Sequence, residues 1–536
     1  MKKLVSRFMA VLMAMTMILS MSMTAFAADA SKGTLTVNNT VAGKTLDLYQ
    51  IFTATKNGDN VAYTLNSAYE GFFQSKITDA STLTGEALSE KAYAYVKEQV
   101  GETGSNGAAF AKDILGWILS ASGETKTAVE STHSTATTAD TKTVIDNLAY
   151  GYYVVYPLGA TDTSTAPGNE TVKSVASLVS VTGTDATVNM KSNYPTVVKK
   201  VNDKIADDVN IGDTVTYTLT SKVPDMTGYT SYVFNFKDTL SAGLTFKEIT
   251  SVTVGDTTIT KVDAGQEANN TYTLTQDGQN ITITMNNFLD SNKDNTGKEI
   301  KVTYTATLNK DAVTGFDANK NSATVEYSNK PGTDNKGESE PSIVDVHTFN
   351  FTIFKYYLKD AAKTGLANAE FELYKANGEV AGDKVNIKKV TDGEYRVATS
   401  EEAAAEGFKS DVIVSGNNGK VLVKGLDAGT YYLRETKSPE GYNKLLSDIK
   451  VEIKATYGAE GKLESYTVDY TYNGTTTQGT AITNKTDSPE VAVENKTGAQ
   501  LPSTGSKGAL MVTLAGIVLF GALTASKAFG KKKANN

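Results

Sequence analysis

Leu501-Pro502-Ser503-Thr504-Gly505 is the stretch of this sequence whose residue types and order most directly invite chemistry. Pro502 keeps the backbone extended, biases the residue before it away from helix and removes a donor, which suits an enzyme groove. An uncharged run from Gly508 to Ser526 comes next. If helical, it spans roughly 28 Å at about 1.5 Å per residue, close to a bilayer core. Lys531, Lys532 and Lys533 would then stay on the cytoplasmic side. Other chemistry finds little material. The 536 residues include two histidines and no cysteine, which is thin for a zinc site or a His-based triad. There is no nucleophile elbow, metal-ligand cluster or Gly-rich phosphate loop. A secreted enzyme is therefore disfavoured, and neither cofactor nor metal is expected.

The other end carries a matching signal. Lys2, Lys3 and Arg7 precede an apolar stretch from Phe8 to Met23, and Ala25-Phe26-Ala27 supplies small residues for signal peptidase. This reads as a secretory signal (residues 1–27) cut after Ala27. The net charge is -8, from 52 basic and 60 acidic residues, so nothing points to nucleic acid. An exported chain with no disulfide must resist force and proteases by other means. Its length suits about three ordinary domains.

The elements between the two signals read mainly as strands. Thr34–Val37, Asp213–Leu219, Ile281–Met285 and Lys301–Thr307 alternate β-branched or aromatic residues with polar ones, and Gly, Asn and Asp turns punctuate them. The fold class expected is mainly β: three tandem immunoglobulin-like or B-type β-sandwich domains. The first carries short helical insertions, and a signal peptide and a C-terminal membrane helix flank the set. Leu88, Ala92, Tyr95 and Val96 share one helical face, as do Phe110, Ile114, Trp117 and Ile118; the single tryptophan reads as packing. Residues 120–143, rich in Ser, Thr and Ala, read as an exposed loop. Boundaries are expected near Tyr194-Pro195, in the polar stretch between Asn329 and Val346, and between Asn484 and Asn495. The domains are then 28–194, 195–345 and 346–495, with the sorting region at 496–536.

Leu501–Gly505, followed by an apolar run and a basic tail, resembles the LPxTG sorting signal of Gram-positive surface proteins. In that signal a sortase cysteine attacks the threonine carbonyl. The chain between the signals resembles the backbone pilins of sortase-assembled pili. Gly43-Lys-Thr-Leu-Asp-Leu-Tyr-Gln-Ile-Phe52 is similar to the opening of an N-terminal pilin domain. Val197-Val-Lys-Lys-Val201, Gly212–Leu219 and Asp238-Thr-Leu-Ser-Ala-Gly-Leu-Thr-Phe246 resemble an isopeptide-forming middle domain. Ala367–Tyr374 and Gly429–Tyr442 resemble a collagen-binding-protein B-type domain, with Glu435 as the E-box glutamate.

The resemblance implies a self-modification. A lysine amine attacks an asparagine carboxamide and releases ammonia. Burial lowers the pKa of the amine and raises that of a neighbouring acid, so the neutral acid can shuttle protons while strands hold the amine at attack distance. In the middle domain the implied residues are Lys199, Asp238 as acid and Asn321 as acceptor. Lys200 points to the opposite face of its strand. In the third domain they are Lys355, Glu435 as acid and Asn484 as acceptor, with Asn495 a rival for the last role. The family's Tyr-Pro-Lys-Asn motif is altered here to Tyr194-Pro195-Thr196. Lys191 is the nearest candidate for the intersubunit lysine, and Lys200 the second.

The function implied is the structural major subunit of a covalent, wall-anchored pilus. Sortase would cut between Thr504 and Gly505 and join Thr504 to a lysine of the next subunit. The implied partners are a pilin-specific and a housekeeping sortase, other copies of the chain, minor pilins, peptidoglycan and host surface molecules. A monomeric sortase-anchored adhesin is the alternative.

Overall fold

The computed structural model describes residues 31–101, 107–119, 129–137, 141–161, 175–190 and 193–498. The expected signal peptide, Lys191, Leu501–Gly505, the run 508–526 and the terminal lysines lie outside them. Among the described residues no helix is long and apolar enough to cross a membrane. The expected fold class is corrected accordingly: it comprises β-sandwich domains, and the C-terminal membrane helix is withdrawn from it.

The first unit, residues 31–190, pairs a three-stranded sheet with a five-stranded one. Lys32–Asn38 lies between Lys142–Ala149, antiparallel, and Ala186–Asn189, parallel. Helices Gly85–Val100 and Gly107–Leu119 are longer than the short insertions expected. Leu88, Ala92 and Val96 recur at helical spacing and are buried. Together with Phe110, Ile114 and Ile118 they join Phe52, Phe72 and Phe73 in a separate aromatic-rich core, so the helices form a third layer. Trp117 packs edge-on against Phe72 at 5.7 Å, as a packing residue would. Residues 120–143 are not all loop, because His133–Ala136 forms a strand on Thr45–Leu48.

In the middle unit, five strands face an eight-stranded sheet. Thr214–Lys222 shows why: Val215, Tyr217, Leu219 and Ser221 turn inward while the threonines between them face outward or are half-buried. The polar stretch before Val346 does not break the strand pattern, as its composition suggests it should. It supplies two strands instead, Lys336–Glu338 and Ser342–His347, which close onto Asn319–Ser328. The third unit begins two residues later with Phe349–Lys359 and again stacks two sheets.

The middle and third units share a continuous apolar core and a polar seam. Ile211 N donates to Gly425 O at 3.0 Å, Ser400 Oγ to Gly212 O at 2.7 Å, and Tyr457 OH to Asp208 Oδ2 at 2.7 Å. No flexible linker separates them.

Gly419 holds the strand that carries Lys355. Its φ is +77°, and a Cβ there would lie 2.2 Å from the carbonyl oxygen of Lys355, whose N–H donates back to Gly419 O. Gly419→Ala therefore combines left-handed strain with a backbone clash. It should destabilise the third unit by about 2–3 kcal/mol, read by urea unfolding. An unchanged midpoint would show that the strand yields freely.

Candidate functional site

Strand Val198–Val201 alternates exposed and buried residues, so Lys199 turns fully inward (0% exposed) and Lys200 outward. Lys199 pairs with Leu219 in the five-stranded sheet. Asp238 and Asn321 come from the other sheet, on neighbouring antiparallel strands, and both are buried. The two sheets thus present a lysine to an acid and a carboxamide across the sandwich. Lys199 Nζ forms an ion pair with Asp238 Oδ2.

A fourth residue completes the cluster. Tyr304, opposite Tyr217 on the strand next to it, receives a hydrogen bond from Lys199 Nζ at 2.8 Å. It accepts another from Asn321 Nδ2 at 2.7 Å and donates to Asp238 Oδ2 at 2.7 Å. The rings of Tyr217 and Tyr304 stack at 5.1 Å, with Nζ 5.0 and 5.2 Å from their centroids.

Burial pushes the Lys199 amine down to about 8, against the opposing pull of Asp238. Burial, reinforced by the negative charge of Asp238, drives the Tyr304 phenol well above its usual range. A buried ion pair is a poor source of stability, because desolvation of both charges offsets their attraction. Here it brings a nucleophile, an acid and an electrophile together. Asn321 Oδ1 and Asp238 Oδ1 are buried without a hydrogen-bond partner in the described structure.

The third unit repeats the set with different geometry. Lys355 is fully buried in Phe349–Lys359, and its Nζ lies 3.1 Å from Glu435 Oε1. Burial lowers its pKa to about 8, again opposed by the carboxylate. Asn495 Nδ2 reaches Glu435 Oε1 at 3.3 Å and donates to Asn443 O at 2.9 Å. Leu445 N donates to Glu435 Oε2 at 2.7 Å, fixing the carboxylate from behind.

Asn484, expected as the acceptor, is placed elsewhere. Asn484 is exposed and caps its own turn, with Nδ2 on Asp487 Oδ2 at 2.8 Å and Oδ1 accepting from Thr486 N at 2.9 Å. It lies outside the Lys355–Glu435 cluster because the last strand starts only at Glu490. That strand runs parallel to Phe349–Lys359, with Val493 opposite Lys355. The sequence held the clue, since Val491, Val493 and Asn495 share one face at a period of two. Tyr304 escapes sequence reading because an inward tyrosine in an alternating strand reads as core.

Lys200 is exposed on the outer face, while Lys191 and Leu501–Gly505 fall outside the described residues. In the first unit, no lysine or asparagine among the described residues is buried. No group of His, Cys, Asp or Glu among the described residues could hold a metal ion.

Each of the two β-sandwiches thus encloses a lysine, an acid and an asparagine. Residues 211–331 match the family model for Gram-positive pilin backbone subunit 2, Cna-B-like domain, and residues 353–467 match that for a prealbumin-like fold domain. By these matches the middle domain is similar to that of Gram-positive pilin backbone subunits, and the third to a prealbumin-like domain. A fimbrial subunit type 2 of Actinomyces naeslundii is 27% identical over 357 residues, 62% of this chain and 60% of that protein. The trypsin-resistant surface T6 protein of Streptococcus pyogenes serotype M6 is 26% identical over 322 residues, 52% of this chain and 50% of that one. The chain thus spans between half and two thirds of the length of these relatives. Among solved structures, the T6 backbone pilin of the same streptococcal serotype aligns with a TM-score of 0.46 at 17% identity, covering 88% of this chain and 100% of that one.

Asn321→Ala leaves the Lys199–Asp238 pair in place with nothing to attack. The folded-state pKa of Lys199, about 8, lies below its ordinary value of 10.5, so the unfolded chain binds more protons between the two. Stability of the middle unit in this variant should therefore rise with pH from about 8 towards 10, in urea unfolding. A slope no steeper than that of wild type would remove the buried, titratable amine.

Proposed function

We propose that this protein is the structural major subunit of a covalently polymerised pilus on a Gram-positive cell surface, supporting adhesion and colonisation. The middle and third domains close self-generated Lys199–Asn321 and Lys355–Asn495 isopeptide bonds, with Asp238 and Glu435 as the acids. A signal peptide exports the chain. Sortase cuts between Thr504 and Gly505, links Thr504 to a lysine of the next subunit (Lys191 by its place at the end of the first domain), and finally joins the base to peptidoglycan. The protein is a substrate of that enzyme and modifies only itself.

The observation that carries this reading is the pair of buried Lys–acid–Asn clusters in consecutive domains. A lysine buried to 0% exposure beside a carboxylate costs folding energy, and one cluster alone could be incidental. Two, each with a carboxamide on the acid or on its phenol partner, argue for a shared reaction. Head-to-tail joining through Thr504 gives a heterologous contact that does not close on itself, and therefore a fibre.

Intact-mass analysis of the soluble mature region should show the loss of two ammonia molecules. Asn321→Ala and Asn495→Ala should each restore one, and Asn484→Ala none. An unmodified wild-type mass would remove the cross-links. Immunoblots of cell-wall extract boiled in SDS should show a high-mass ladder that Lys191→Ala abolishes. A persisting ladder would move the junction to another lysine, and a single monomer-sized band in the presence of cognate sortases would leave an anchored monomeric adhesin.

A further inference from the structure

The two clusters link acid to carboxamide differently. In the third domain Glu435 Oε1 itself meets both Lys355 Nζ and Asn495 Nδ2. In the middle domain Asp238 Oδ2 is bonded to Lys199 and Tyr304, Asp238 Oδ1 has no partner, and the atom beside the carboxamide nitrogen is the Tyr304 hydroxyl. We propose that Tyr304 is a catalytic residue of the middle domain, relaying the proton from Asp238 to the departing nitrogen of Asn321. This rests on the reading that Lys199 and Asn321 become linked.

Atoms and electrons balance through the step. The Lys199 ammonium gives a proton to Asp238, leaving a neutral amine and a neutral acid. Nζ attacks Cγ of Asn321, forming the C–N bond and pushing an electron pair onto Oδ1. The carbonyl re-forms as the Cγ–Nδ2 bond breaks. Nδ2 takes the Tyr304 proton, Tyr304 is reprotonated by Asp238 Oδ2, and the surplus proton on Nζ returns to Asp238. One ammonia leaves, and the acid and phenol end in the states in which they began the attack.

The geometry suits this sequence. The phenol lies 2.7 Å from both the donor it draws on and the nitrogen it serves, short enough for proton transfer with no side-chain rearrangement. Burial and the neighbouring Asp238 keep the phenol protonated, so it is loaded until the leaving nitrogen becomes basic. Tyr304 also accepts from Lys199 Nζ at 2.8 Å, holding amine and carboxamide on the same oxygen. Its ring is anchored independently by stacking on Tyr217 and by a tilted contact with Phe246 at 5.8 Å.

The test is Tyr304→Phe in the soluble mature region, with the third domain as an internal standard. Loss of ammonia is followed by intact mass, and the site by mapping the cross-linked peptides. The Lys355–Asn495 bond should form as in wild type, while the Lys199–Asn321 bond slows by about a hundredfold, within the range for a general acid. Asn321→Ala supplies the reference for a folded but unlinked middle domain. Tyr304→Phe should match its far-UV circular dichroism. Normal linkage in Tyr304→Phe would overturn the relay. So would a middle domain that is unfolded in Tyr304→Phe but folded in Asn321→Ala, since the phenol would then be structural. A wild type that lacks the middle bond would instead overturn the underlying cross-linking.

Discussion

Placing a lysine amine inside an apolar sandwich is the constraint on which the middle and third domains depend. Lys199 and Lys355 are enclosed between sheets, and such a charge cannot be left alone there. Each needs an acid from the opposing sheet, supplied by Asp238 and Glu435. That requirement fixes which strands face each other and in what register. Rings line the remaining space: Tyr217 and Tyr304 over Lys199, and Phe371 5.7 Å from Lys355. The surroundings that make the amine costly also make it nucleophilic, because they favour its neutral form.

The two clusters sit differently in their domains. Lys199 and Asn321 belong to opposite sheets, so a bond between them staples the layers of the sandwich together. Lys355 sits on the first strand of one sheet and Asn495 directly after the last, Glu490–Glu494, which runs parallel and beside it. A bond there joins the strands through which tension enters and leaves the domain. The polar seam from Asp208 to Gly212 ties the two domains end to end, so load passes between them through backbone and side-chain hydrogen bonds and not through a slack connector. The first domain holds no buried lysine or asparagine among its described residues.

Much of this was legible in the residues. Period-two alternation put Lys199 and Lys200 on opposite faces, the family resemblance favoured Lys199 as the inward one, and helical spacing located both long helices. What failed did so for identifiable reasons. Asn484 sits in a motif-like stretch, but local capping by Asp487 and Thr486 holds it in an exposed turn, which only the position of the last strand reveals. The connector before Val346 is polar, yet it forms strands because Asn319–Ser328 offers it open hydrogen-bonding groups. Tyr304 could not be separated from the other inward tyrosines, since its role depends on an oxygen reaching three partners from different strands. The helices proved too extensive for insertions because Phe52, Phe72, Phe73 and Phe110 need a layer of their own.

Leu446 stands 97% exposed in the segment after the Glu435 strand, an inviting place for a protease to cut. Lys355 lies on one side of such a cut and Asn495 on the other. With the bond between them in place, the severed pieces remain one covalent object. The chain from Lys355 to Asn495 is then a closed ring, and a single nick opens the ring without parting it. A chain so linked can be cut repeatedly between Lys355 and Asn495 and still hold, so enzymatic attack parts it only where it falls outside the ring.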